Sequence, residues 1–187
     1  MTDHPIRFFA DDAAIVRLGE GLIACTLARE EWTHEAHLAA CLYLLVRRPD
    51  VDVDGEIARL ISRFNESVGG VNDDHNGYHD TITRTYVAGV RRFLAKAINP
   101  PPEGEVPSRS DDGGVVSASG VAWGEYPSTA FGGPTPPPGE ELAGLANALL
   151  ASEVGSRDWP LRFYSRELLF SVRARRGFVE PDRAPLP

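Results

Sequence analysis

Basic residues are in the minority in this chain, 19 Lys and Arg against 27 Asp and Glu, for a formal net charge of −8. Such a balance opposes general attraction to polyanions, so neither nucleic acid nor an anionic membrane is an expected partner. Cysteine is almost missing. Cys25 and Cys41 are the two present, in no CxxC spacing, which excludes a disulfide scaffold and a zinc knuckle and leaves both as small buried residues. No apolar run reaches transmembrane length, and Met1-Thr-Asp-His-Pro5 lacks the basic start and apolar stretch of a secretory signal, so the expected location is the cytoplasm. Strand-like alternation strong enough to require a sheet is also lacking. At 187 residues and 42% hydrophobic, the chain suits one domain with a sizeable core.

What is present is helical periodicity. Asp11 or Asp12 is a candidate cap for a helix running to about Arg29, with Ile15, Leu18, Leu22 and Cys25 on one stripe. Thr33 is the expected cap of a second helix, which Pro49 and Asp50 stop near Arg48 and whose centre, Leu38 to Val46, is apolar all round. A third begins at Asp54, carries Ile57, Leu60, Ile61, Phe64 and Val68, and ends at Gly69-Gly70. The fourth spans about Tyr78 to Ile98, with Ile82, Tyr86, Val90, Phe93 and Ala97 inward. A fifth covers Glu140 to Ser152, and short helices are expected near Ser165–Phe170 and Ser171–Arg176, before an extended tail. The expected class is all-α, a bundle of about five main helices with an irregular C-terminal wrap.

Nine of the 15 prolines and eight of the 18 glycines fall between Asn99 and Gly139. That composition specifies a long insertion, either a plain surface loop or, given Val115-Val116, Trp123, Tyr126 and Phe131, a lid over a pocket.

Four of the five histidines, His34, His37, His75 and His79, fall within one 46-residue stretch. His34 and His37 continue the inward stripe of Leu38, Cys41 and Leu45, and His79 opens the stripe of Ile82, Thr83 and Tyr86. If the two helices start at the same end of the bundle, the three imidazoles converge. A helix N-terminus keeps histidine neutral, the form needed by a metal ligand or a general base. Two chemistries therefore stay open. In one, His34, His37 and His79 hold a divalent metal such as zinc, manganese or iron, with Asp80 or His75 as a fourth ligand and Glu35 or Asp80 orienting a ligand from behind. In the other, the same histidines move protons without a metal. The plainer account makes them helix-start polar groups satisfied by hydrogen bonds. Seven arginines follow from Arg157 onward, and Arg166 is the first choice to clamp an anionic group of a substrate.

Trp32-Thr-His-Glu-Ala-His-Leu38, Asn65 with Gly69-Gly70, Gly77-Tyr-His-Asp-Thr-Ile-Thr83, and the terminal Tyr164-Ser-Arg-Glu-Leu168, Ala174-Arg-Arg176 and Val179-Glu-Pro-Asp182 together resemble an uncharacterised bacterial protein family. The resemblance covers about 30–95 and 140–187. It implies that these segments form one unit and brings no activity with it. Asp80 stands where that family more often has Glu, and the central stretch is longer here.

The expectation is a small enzyme in which His34, His37 and His79, with or without a metal, act on a small polar or anionic molecule bound by Arg166. The alternative is a noncatalytic helical binding or interaction module in which the histidines are structural.

Overall fold

A computed structural model describes residues 6–98 and 141–187. The expected lid or loop over 99–139 lies outside the described residues. Within them the secondary structure is helical, without strands. The main helices are α1 (Asp12–Ala24), α2 (His34–Arg47), α3 (Val53–Ser67), α4 (Asp80–Ile98) and α5 (Glu141–Ala151), followed by short α6 (Arg166–Leu169) and α7 (Val172–Arg176).

α2 is the centre of the bundle. Thr33 caps it by accepting the Ala36 N–H, a contact generally worth about 1 kcal/mol, and every residue from Leu38 to Leu44 is buried. A helix apolar on all sides needs neighbours on all sides, and α1, α4 and α5 supply them. α1 meets α2 at Gly19, where a Cβ would lie 1.9 Å from the Tyr43 ring, so a side chain here would displace that ring. α3 packs on α1 and ends, as its sequence suggests, with Gly69 left-handed at φ 78°.

α1 is shorter than its periodicity implies. It stops at Ala24 rather than near Arg29, because Cys25 adopts the left-handed conformation at φ 57° and its N–H and that of Thr26 return to the carbonyls of Leu22 and Gly21. What holds this turn is tertiary: Leu27 folds back and buries itself against Gly21.

The C-terminal wrap has its own small core of Tyr164, Leu169, Ala174 and Val179, and it is tied to the first turns of α4. Thr81 is fully buried there; its hydroxyl donates to the Gly177 carbonyl at 3.1 Å and accepts the Val179 N–H at 3.2 Å. Arg175 adds bonds to the carbonyls of Gly77 and Tyr78. Between α5 and the wrap, a tight turn over Glu153–Gly155 and another over Trp159–Arg162 lie against α4, with Trp159 covering Gly89.

Candidate functional site

The start of α2 forms one wall of a cavity of about 730 Å³. Its floor is aliphatic and is drawn from four helices: Leu22 of α1, Leu38 and Cys41 of α2, Ile57 and Ile61 of α3, and Ile82 and Val87 of α4. Polar side chains gather on the same lining, namely His34, Glu35, His37, Thr83, Tyr86 and Arg157, with Arg7 and Glu30 from the neighbouring loops. An apolar enclosure with a few convergent polar groups is the usual form of a small-molecule site, and this volume falls inside the usual range.

His37 is the group best placed for chemistry. Its Nδ1 lies 2.6 Å from the Thr33 carbonyl oxygen. A carbonyl can only accept, so Nδ1 carries the proton and Nε2 carries the lone pair. Nε2 has no partner among the described residues, which leaves it available to a molecule in the cavity. Trp32 fixes the ring plane from one side, 4.0 Å between centroids, and itself rests on Phe64. The side chain is exposed to solvent and lies on the cavity lining. Desolvation pushes its pKa down to about 4, and the positive charge of Arg157 acts in the same direction against the Thr33 carbonyl; water entering the cavity mouth weakens the desolvation. His37 is neutral at neutral pH on either count.

His34, one turn before, uses its ring as a strut. Nε2–H donates to the Gly155 carbonyl at 2.8 Å, and the ring edge meets Tyr86 at 5.4 Å. Burial lowers its pKa, the Gly155 carbonyl opposes the shift, and Arg157 adds to it. This bond across 121 positions ties the turn that carries Arg157 to the head of α2. Tyr86 ties the same turn to α4, its hydroxyl donating to the carbonyls of Ser156 and Arg157.

Glu35 is buried at the first turn of α2 and stays ionised. Burial works to raise its pKa, but the carboxylate accepts its own backbone N–H and the Thr33 hydroxyl and faces Arg157, so the net shift is downward. The contact with Arg157 is a single one of 3.5 Å, which leaves most of that guanidinium unspent. Cys41, one turn beyond His37 on the same face, is not set up as a nucleophile: burial pushes its thiol up to about 12.

The other expected site residues lie elsewhere. His79 is not on the cavity lining, and both its ring nitrogens are committed: Nε2–H donates to the Leu169 carbonyl at 2.9 Å, and Nδ1 accepts the Ile82 N–H at 3.4 Å. It caps α4 and seats the wrap. The reason is register, since the head of α2 meets α4 two turns in, at Thr83 and Tyr86, while the start of α4 is covered by the wrap. Asp80 is also engaged, accepting the Tyr78 hydroxyl at 2.8 Å and the Arg84 Nε–H at 2.9 Å. His75 sits in an exposed turn whose N–H bonds Asp73. Arg166 is exposed, its guanidinium over the Phe170 ring at 5.3 Å, away from the cavity lining. Among the described residues, no three of His, Cys, Asp and Glu stand together so as to hold a metal ion.

The cavity lining also includes Trp32 and Arg157, which sequence reasoning did not single out. Trp32 opens the Trp32-Thr-His-Glu-Ala-His-Leu38 segment that carries His37, which was its signal. Arg157 was one arginine among seven, with nothing local to single it out.

No family model, curated protein or solved structure matches the chain. Among the described residues, no helix is long and apolar enough to cross a membrane.

Proposed function

We propose that the cavity at the head of α2 binds a small molecule and that His37 removes or returns a proton there through Nε2. The observation that carries this reading is the 2.6 Å bond between Nδ1–H and the Thr33 carbonyl, which fixes the tautomer and aims the lone pair away from the helix. A backbone acceptor behind the ring also supports the imidazolium formed when Nε2 takes a proton. Arg157 meets negative charge that develops on the substrate, and Glu35 holds Arg157 at the mouth. His34 is a positioning residue, acting through the Gly155 turn. The metal-free form is favoured because His79 has no lone pair left to offer and no third ligand stands beside His34 and His37 among the described residues.

A second reading, binding without turnover, draws on the aliphatic floor and the protonated thiol of Cys41. The test is incubation of the protein with a small-molecule cell extract, followed by mass spectrometry. His37→Asn is the control, because its side-chain amide N–H still reaches the Thr33 carbonyl while the Nε2 lone pair is gone. Consumption of a compound by wild type and not by His37→Asn is the expected result. Retention of a compound unchanged, equally by both proteins, overturns catalysis and leaves the binding module.

A further inference from the structure

We propose that the molecule taken by this cavity is an aliphatic carboxylate, its chain on the floor and its carboxylate on Arg157. The inference rests on reading the cavity as the functional site and goes on to name its ligand class. Two features of the lining select it. The part of the lining made by Leu22, Leu38, Ile57, Ile61 and Val87 offers no hydrogen-bond donor or charge, so whatever reaches it is apolar, and the aromatic rings of the lining, Trp32 and Tyr86, stand instead against His37 and His34.

The mouth then decides the head group. Its formal charges balance, Arg7 and Arg157 against Glu30 and Glu35, but their hydrogen-bonding capacity does not. Glu35 is buried and already faces Arg157 at 3.5 Å, so it is not free to receive a cationic or hydroxylic head. Arg157 has given only one 3.5 Å contact, and Arg7 has no acidic partner among the described residues. A guanidinium with unspent parallel N–H groups matches a planar carboxylate in two bonds. His37, being neutral, does not compete with Arg157 for that negative head and stands beside it as the proton acceptor.

Calorimetric titration of the full chain with hexanoate, octanoate, decanoate and decanol, each kept below its micelle concentration, tests the class. The expected result is affinity rising roughly fourfold per methylene through the series. Arg157→Gln, an exposed position whose change leaves the core intact, is expected to weaken decanoate about tenfold or more while leaving decanol unaffected. Ile61→Trp, which fills the floor from a half-buried position, is expected to abolish both and so to separate cavity binding from surface adsorption. Decanol binding as tightly as decanoate, or Arg157→Gln weakening both alike, overturns the carboxylate assignment. No dependence on chain length, or binding unchanged in Ile61→Trp, overturns the placement of the chain. Failure here is distinct from failure of the catalytic reading: His37-dependent consumption from the extract without carboxylate binding removes only the ligand class, whereas carboxylate binding without such consumption removes only the catalysis.

Discussion

The Nδ1 of His37 donates to the carbonyl oxygen of Thr33, four residues back at 2.6 Å, and the same Thr33 caps the helix on which His37 stands. One residue thus fixes where α2 begins and which imidazole nitrogen is free. The hydroxyl serves the backbone and Glu35, and the carbonyl serves the ring.

His34, His37 and His79 all have pKa values below the ordinary 6.5, in each case chiefly because burial disfavours the imidazolium. A histidine with a depressed native pKa binds fewer protons folded than unfolded, so stability falls as pH drops below the unfolded value. For His37 the loss runs from about 6.5 toward about 4. Urea midpoints measured at descending pH are expected to decline through that window, and replacing His37 with Asn is expected to flatten the decline. A midpoint that rises with acidity there contradicts the assignment.

His79 belongs to the architecture. His79→Ala leaves the Leu169 carbonyl and the Ile82 N–H without their partner and is expected to cost about 1–3 kcal/mol in urea unfolding. Decanoate affinity, measured on the folded variant, is expected to stay within about twofold, since small stability changes away from a site add independently. Loss of ligand binding with stability unchanged is the contrary result.

Cys41 and Cys25 differ in access. The Cys41 thiol is buried and held protonated, with a pKa near 12, whereas Cys25 is half-buried. Titration with a thiol-reactive disulfide is expected to modify Cys25 first, and Cys41 only after denaturation. Rapid modification of Cys41 in the folded Cys25→Ala variant contradicts that order.

Gly89 is where α4 receives Trp159. A Cβ at this position would lie 2.3 Å from the indole, so Gly89→Ala must move the ring and the turn that carries Arg157. Overpacking of this kind generally costs about 1–3 kcal/mol. Thermal unfolding is expected to show the loss, and weaker decanoate binding to accompany it. An unchanged melting temperature contradicts the close packing.

The five main helices were legible in the sequence because their causes are local. Thr33 before an apolar run marks a cap, and Gly69-Gly70 after one marks a stop. The end of α1 was not legible, since Cys25 turns left-handed to let Leu27 bury itself, which is a tertiary cause. Helical spacing put His34 and His37 on the face of Leu38 and Cys41, and all four line the cavity, but His37 is exposed rather than turned into the core. The role of His79 was hidden because its partner, Leu169, lies 90 residues along the chain, and because no helix period reveals how far α2 slides along α4. Arg166 stands off the cavity lining and Arg157 on it, for the same reason. The carbonyl of Gly155, bonded by His34, is what fixes the turn that brings Arg157 to the mouth, and that bond spans 121 positions.

The most direct measurement is the tautomer of His37, read at neutral pH from long-range proton–nitrogen correlations of the imidazole ring, with His37→Asn for assignment. The result expected is a neutral ring with the proton on Nδ1 and an unprotonated Nε2, shifting when a cavity ligand is added. A proton on Nε2, or an imidazolium at neutral pH, would contradict the assignment of His37 as the proton acceptor.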